Sequence, residues 1–473
     1  MSNKFDVIVI GGGPGGTPAA MQLASRGQRV LLVEESGKPG GACLFFGCIP
    51  SKILRHWANE ISTERKYANK RTWSSEDRKT AWNQIKDKKN HILEQRSRGA
   101  LQALTLLPTL NLVSGLARFV SNNEMVIEEK NTGENKNYTF DNAIIATGAH
   151  SIIPPFEGDA TQEVLTSETL FSQDKLPENL LIVGGGPIGI ELSQMFAKLG
   201  VQCTIVELLD SILYGVVEPE FVTIISSRLA DLGVDIYTSS KVKEINRADG
   251  YFDIRFADAK GLEHKLKYEN VLVATGKSPN IESLNLNSTG IQYDRKGITV
   301  NEFLETSVKG IYAAGDVIVG PKFAHTATYE AHIAATNIET GNSQKVSFSK
   351  NSWVLFSEPE IAAVGLTEAQ AVAQGYDIIT GVYDYSIDAA AQVMNEPVGF
   401  LKYVVDKKTL EIIGVHICHR NASSLAGEAS LILAKRLTLK DVAQAVHPHP
   451  TLTEAFGFLA YRILGKSHSG QER

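Results

Sequence analysis

Cys43 and Cys48 stand with four residues between them in GGACLFFGCIPSK, just downstream of a Gly-rich turn near the start of the chain. Thiol–disulfide exchange needs one accessible sulfur to meet the substrate and a second to pass electrons to whatever lies behind it. A short loop leading into a helix can hold both, and Gly40, Gly41, Gly47 and Pro50 are loop and helix-start residues. The alternative is two buried structural thiols, since free cysteine is often buried. With only 4 cysteines in 473 residues there is no disulfide scaffold for the pair to belong to. Cys203 and Cys418 sit in apolar, strand-like runs and read as core. A zinc site would want further Cys or His ligands at short spacing, and none lie nearby. The pair is therefore expected to do redox chemistry.

The elements that must carry it begin with residues 5–16, FDVIVIGGGPGG, an apolar strand followed by Gly11, Gly13 and Gly16 and a helical pattern from Thr17 to Arg26. In such a turn the first glycine permits the tight bend and the second lets a pyrophosphate approach the backbone. The third lets helix and strand pack closely, while the helix N-terminus supplies partial positive charge. Glu34 closes the next strand, RVLLVE, eighteen residues past Gly16, where a carboxylate can accept from ribose hydroxyls. A redox cysteine pair beside a dinucleotide turn implies a flavin.

The same unit recurs at 180–191, LLIVGGGPIGIE, with Gly184, Gly186 and Gly189 after a strand and Glu207 eighteen residues past the last glycine. Two copies at matched spacing imply two bound dinucleotides. Glu207 suits the 2′-hydroxyl of NAD and repels the 2′-phosphate of NADP, and the following LLDS offers no arginine, so NAD is the expected occupant of the second site. AIIATGAH (143–150), containing Thr147 and Gly148, and VLVATGKSP (271–279), containing Gly276, each run a buried strand into Thr-Gly and mark candidate domain junctions. GIYAAGDV (310–317) offers Asp316, either an ordinary turn residue or a carboxylate placed to accept from a flavin's ribityl hydroxyl.

The chain is long enough for two to four domains. Its 43% hydrophobic content, 21% charged residues and net charge of −6 describe a globular protein without a polyanion-binding balance, so nucleic acid is not an expected partner. The N-terminus enters a strand at once, leaving no room for a signal peptide, and no apolar run suggests a membrane span. A cytoplasmic location is expected, where a cysteine pair is catalytic more readily than structural. Residues 64–98 are locally basic, with Trp73 and Trp82 interleaved. Their helical spacing reads as a solvated helix pair with its aromatics turned inward, and no function is assigned to them.

Taken together, IGGGPGG, GGACLFFGCIPSK, ATGAH, VGGGPIGIE, ATGKSPN, AAGDV and HPHPTLTEA (447–455) resemble the FAD-dependent pyridine nucleotide–disulfide oxidoreductases nearly end to end. Within that family the chain looks most like the dihydrolipoamide dehydrogenases. The resemblance implies that Cys43 is the interchange thiol and Cys48 the thiol that contacts the flavin. It implies that Lys52 lies near the flavin, paired with Glu191 close to the nicotinamide, and that His449 and Glu454 form an acid–base pair reaching the disulfide of a second subunit. Gly115, Thr147, Gly148, Asp316, His325 and Gly276 join the two glycine turns among the cofactor-binding candidates, and no metal site is expected. The chemistry separately asks for a histidine, because thiolate is the attacking species and a group titrating near neutrality must handle its proton. His447 is the rival, but only His449 directly precedes the Pro-Thr of the motif.

The expected fold is α/β, with two Rossmann-like domains and a C-terminal α+β dimerisation domain. The expected boundaries are 1–149 for FAD, 150–275 for NAD, 276–346 for a central segment completing the FAD site and 347–473 for the interface domain. The expected reaction is oxidation of dihydrolipoamide by NAD through a Cys43–Cys48 disulfide and FAD. The expected partners are a second copy, a free or protein-bound lipoyl group and a 2-oxo-acid dehydrogenase complex. Phe45 and Phe46 replace the family's usual smaller Asn-Val, Lys277 stands where arginine is common, and KFAHTATYEAH departs from AHKAEDEG while keeping His325. The aromatic pair motivates the alternative of another disulfide, a quinone or a metal as acceptor; a purely docking role is countered by retention of both cysteines and His449. Mercuric reductases carry a further C-terminal cysteine pair that this chain lacks, and glutathione reductases read NADP with arginines where Glu207 stands.

Overall fold

The computed structural model describes residues 3–70, 72–349 and 351–469, with side chains described to 465. Met1 and Ser2, at the start of the expected first domain, and residues 470–473, at the chain end where a further cysteine pair would stand, lie outside the described residues. The chain forms two compact units, the first built from residues up to 184 with 195–208 and 240–346, the second from 185–194, 209–239 and the residues from 347 on.

In the first unit, strand β1 (Lys4–Ile10) is paired in parallel with β2 (Val30–Glu34), and the connecting helix α1 (Thr17–Ser25) packs Ala19, Ala20 and Leu23 inward. The run VIVI is buried on both faces, which is why it is continuously apolar and not alternating. Helices α2 (Gly41–Phe45), α3 (Cys48–Tyr67) and α4 (Ser75–Thr105) follow. A reciprocal box starts α4, in which the Ser74 hydroxyl accepts from the Asp77 N–H at 3.1 Å and the Asp77 carboxylate accepts from the Ser74 N–H at 3.0 Å. Trp82 is fully buried and stacks on Phe171, with ring centroids 5.3 Å apart.

Strand β3 (Leu110–Ser121) extends the parallel sheet beside β2, then turns antiparallel through β4 (Glu124–Glu129) into β5 (Asn135–Ile145). The far half of β5 lies parallel to β1 and to the strand Ile311–Ala313, so the sheet closes around the glycine turn. A second parallel group joins Asn270–Val273, Asn179–Val183 and Gln202–Val206. An antiparallel meander covers Lys241–Ala248, Tyr251–Ala257 and Glu263–Tyr268.

The second unit contains a five-stranded antiparallel sheet in the order Ser352–Leu355, Glu360–Gly365, Ile412–His419, Phe400–Asp406, Ile378–Asp384. The helices Ala422–Lys435 and Glu454–Ser469 supply Leu425, Ala429, Phe456 and Leu459 to its core. Lys402, buried on that sheet, forms ion pairs with Glu218, Glu220 and Glu368 at 3.1, 2.9 and 2.6 Å. No described helix is long and apolar enough to cross a membrane.

Candidate active site: a thiol pair on a nucleotide cradle

The two glycine-rich turns of the N-terminal region touch. Gly40 donates its N–H to the Gly12 carbonyl at 2.6 Å, and a Cβ on Gly41 would stand 2.7 Å from the Gly13 Cα. Gly41 has φ +54°, so this close approach needs glycine for both room and conformation. A third turn joins them, since a Cβ on Gly15 would meet the Ala314 carbonyl oxygen at 3.1 Å. Cys43 in α2 and Cys48, the first residue of α3, are thereby carried to the glycine turn that follows β1.

Both thiols are free. Cys43 is driven up by its interaction with Cys48 and by burial. Cys48 is lowered to about 7 by its interaction with Cys43 and by the Lys52 ammonium, against burial. Its place at the start of α3 fits a thiolate, since helix N-termini favour negative charge. Asp316 lies close enough to oppose this electrostatically. The structure thus brings Cys43, Cys48, Lys52 and Asp316 together, with Lys52 Nζ 3.4 Å from the Ser51 hydroxyl.

The cradle fits FAD by its own geometry. A Cβ on Gly11 would lie 2.2 Å from the Ala146 carbonyl oxygen, and one on Gly16 would lie 1.9 Å from the Gly11 carbonyl oxygen. On Gly13 the nearest protein atom to an added Cβ is 3.7 Å away, which leaves the backbone open to a ligand. The N-cap of α1 is Gly16, with no side-chain cap, so the helix end is free to face an anion. Glu34 accepts from Gly12 N–H at 2.6 Å and from Ser36 N–H and hydroxyl at 3.1 and 3.0 Å. A carboxylate has further lone pairs for ribose hydroxyls. Asp316 is raised above the usual carboxylate range by burial, with Lys322 and Lys277 opposing.

Other sequence-predicted residues have plainer surroundings. Thr147 donates to the Asn280 carbonyl at 2.6 Å, and Asn280 returns its side-chain amide to the Thr147 carbonyl at 2.8 Å. The Gly148 carbonyl accepts from Asn280 N–H at 2.9 Å, and the Gly276 carbonyl accepts from Ile152 N–H at 3.0 Å. Gly115 faces β4 so closely that a Cβ would meet the Glu128 carbonyl oxygen at 2.5 Å, a steric reason for glycine independent of any ligand. His325, in the first turn of the helix Ala324–Thr340, stacks on Phe323. Lys277, in the position noted for its departure from arginine, binds Glu168, Ser151 and Ser167.

The second nucleotide turn repeats the first in its entry: Gly184 has φ +112°, and a Cβ there would lie 2.5 Å from the Ala274 carbonyl oxygen. Gly186 is open, Gly189 is buried in the helix Pro187–Lys198, and Glu207 is half-buried just past the strand Gln202–Val206. Glu191 accepts from the Phe356 N–H at 2.9 Å.

The two C-terminal histidines separate clearly. His449 is 72% exposed at its side chain, with Nδ1 3.0 and 3.1 Å from the Glu454 oxygens. Glu454 also accepts from the Thr451 N–H, and this bond first, then His449, holds its carboxyl below the usual range. It therefore caps the last helix and braces the imidazole at once. His447 instead is largely buried against Glu428, at 2.9 Å.

Sequence reasoning missed Glu330. Its carboxylate is 1% exposed and accepts the Gly315 N–H at 2.6 Å, and burial raises it to about 7. The signal was present as the acid in KFAHTATYEAH, but nothing in a helical pattern says that this position faces the Gly315–Asp316 turn. Among the described residues no cluster of His, Cys, Asp or Glu could hold a metal ion.

Residues 5–331 match the family described as pyridine nucleotide-disulphide oxidoreductase, and residues 351–460 match its dimerisation domain. The chain belongs to this family. Its members bind FAD and NAD, the pair of dinucleotides implied by the two glycine turns, and carry a disulfide redox centre. The oxidoreductase is 35% identical over 454 residues to a dihydrolipoyl dehydrogenase of Bacillus subtilis, covering 95% of this chain and 94% of that protein. It is 34% identical over 472 residues to a dihydrolipoyl dehydrogenase of Halobacterium salinarum, covering 98% and 97%. Among solved structures it is similar to a Cu(II) complex of the HOCl-induced flavoprotein disulfide reductase RclA from Escherichia coli, with TM-score 0.85, 26% identity and coverage of 97% and 99%. LpdA from Mycobacterium tuberculosis shares the fold, with TM-score 0.86, 24% identity and coverage of 97% and 99%.

Proposed function

We propose that this flavoprotein is a dihydrolipoamide dehydrogenase, oxidising dihydrolipoamide with NAD. The observation that carries the reading is the free Cys43–Cys48 thiol pair on a turn stapled to the FAD cradle by the Gly40–Gly12 hydrogen bond. Interaction between the two sulfurs raises Cys43 and lowers Cys48, which suits a protonated outer thiol and an inner thiolate. Gly11, Gly13, Gly16, Glu34 and Asp316 would hold FAD, with Gly115, Thr147, Gly148 and His325 around it, and bound FAD supplies two-electron transfer between the dithiol and NAD. Gly184, Gly186, Gly189, Glu207 and Gly276 would hold NAD, with Lys52 serving the flavin and Glu191 the nicotinamide.

In this reading a substrate thiolate attacks Cys43 of the Cys43–Cys48 disulfide and releases Cys48 as thiolate. The second substrate thiol then attacks the substrate sulfur of the mixed disulfide, which leaves Cys43 as thiol and the substrate as its cyclic disulfide. His449 removes the proton of the incoming dithiol, held in place by Glu454. The exposure of His449 supports action on the disulfide of a second subunit, and hence a homodimer. It also leaves room for a lipoyl group of a 2-oxo-acid dehydrogenase complex. The four regions expected from the sequence, 1–149, 150–275, 276–346 and 347–473, are retained as the functional division.

A second reading, reduction of another disulfide, a quinone or a metal, is favoured by Phe46, 48% exposed between the cysteines, and by the likeness to the RclA reductase. An anaerobic NADH-coupled assay comparing lipoamide, oxidised glutathione and a quinone separates them. Lipoamide turnover tens of times faster than the others is expected; quinone reduction alone would replace the first reading with the second.

A further inference from the structure

The surroundings of Cys43 are positively charged and apolar. Ile92 and Leu93 of α4 pack with Leu44, Phe45, Ile49 and Ile53, which fixes that face of α4 to the redox turn. Arg96 follows them by four and three residues and so stands on the same face, one turn on. It is exposed and has no carboxylate partner among the described residues. Arg96 and Lys52 both act on Cys43 and favour its thiolate. Phe45 and Phe46 flank the same turn, ring centroids 6.3 Å apart, with Phe46 turned toward solvent.

We propose that Arg96 is a specificity-determining residue and that the preferred disulfide substrate is an anion, a carboxylate borne on an apolar or aromatic body. The guanidinium offers a planar pair of donors to the carboxylate, and the two phenylalanines offer their faces to the body. This rests on the second reading above, reduction of a disulfide other than lipoamide, since the lipoyl amide carries no carboxylate. In the reductive direction the substrate S–S bond breaks as the Cys43 sulfur bonds one half, and the other half leaves as a thiolate that takes the Cys43 proton. Cys48 then attacks the Cys43 sulfur, the Cys43–Cys48 bond forms, and the second half leaves. NADH supplies the two electrons that regenerate the dithiol.

The test uses the FAD-loaded protein with NADH and two aromatic disulfides, dithiobis(nitrobenzoate), which is dianionic, and dithiodipyridine, which is uncharged at neutral pH. Wild type is expected to favour the dianion in kcat/KM by at least about fivefold at low salt, fading as salt is raised. Arg96→Gln is expected to raise KM for the dianion by about fivefold and to change the neutral compound less than about twofold; Arg96→Glu is expected to invert the preference. Equal use of both compounds by wild type, or an equal loss for both in Arg96→Gln, would overturn the inference while leaving the disulfide reading intact. If neither compound is turned over although NADH bleaches the flavin in the same sample, the disulfide reading falls, and this inference with it.

Discussion

Gly40 and Gly12 are joined by a backbone hydrogen bond of 2.6 Å, which ties the turn that carries the thiols to the glycine turn proposed to cradle the pyrophosphate. Electron transfer between a dithiol and a flavin needs a fixed short separation, and the chain obtains it through main-chain contact between glycines. Side-chain substitutions elsewhere leave that contact in place, whereas a methyl group at the wrong glycine destroys it.

Gly13 and Gly16 therefore differ in what they report. Gly13→Ala meets no protein atom closer than 3.7 Å and is expected to fold with an unchanged Tm while losing FAD affinity by about tenfold or more. Gly16→Ala puts a Cβ 1.9 Å from the Gly11 carbonyl oxygen and is expected to lower Tm as well. Flavin absorbance per protein and a melting curve on each variant decide; an intact flavin content in Gly13→Ala would show that the turn does not meet the pyrophosphate.

The thiol pair should release its first proton near neutrality. Cys48 is lowered to about 7 by its interaction with Cys43 and by Lys52, so the reduced protein is expected to show thiolate absorbance with a midpoint near that pH. The cation favours the charged form, so its removal in Lys52→Met moves the midpoint upward. A wild-type midpoint near that of an ordinary thiol would contradict the assigned interaction of Cys48 with Cys43 and Lys52.

His449 and His447 should divide function from stability. His449→Gln is expected to cut lipoamide turnover by roughly a hundredfold or more while leaving Tm and NADH-to-dye reduction close to wild type, because the imidazole is exposed. His447→Gln loses the contact with Glu428 and is expected to cost about 1.5–3 kcal/mol of stability with turnover nearly retained. Melting and turnover assays on both variants check this, and the reverse pattern would exchange their roles.

Glu207 should set the choice of pyridine nucleotide. A carboxylate close to the adenosine ribose repels a 2′-phosphate, so kcat/KM for NADH is expected to exceed that for NADPH by about tenfold or more, and Glu207→Gln is expected to narrow the ratio. A wild-type preference for NADPH would overturn the assignment.

Much of this could be read from the sequence because it rests on local rules. Gly11, Gly16 and Gly184 announce themselves through conformations and clearances that only glycine allows, and the spacing to Glu34 and Glu207 is set by one helix and one strand. The basic stretch around Trp82 also reads locally, with Trp82 packed inward. What sequence spacing cannot give is which residue on one face looks across at another segment. Arg96 looked like one more charge on a solvated helix until Leu93 was found packed on Leu44 and Ile53. Asn280 braces Thr147 across 133 positions, and Glu330 reaches Gly315 from the helix that follows it. No periodicity encodes such pairings.

Lys402 and its three carboxylates bear on how the polypeptide is made. Glu218 and Glu220 leave the ribosome nearly two hundred residues ahead of the lysine that neutralises them, about ten to forty seconds at ordinary elongation rates. Until then the nascent segment carries a cluster of unmatched negative charge, which keeps it hydrated and discourages premature burial. The second unit can close only when the strand Phe400–Asp406 arrives, so vectorial synthesis itself orders its assembly after that of the N-terminal cradle.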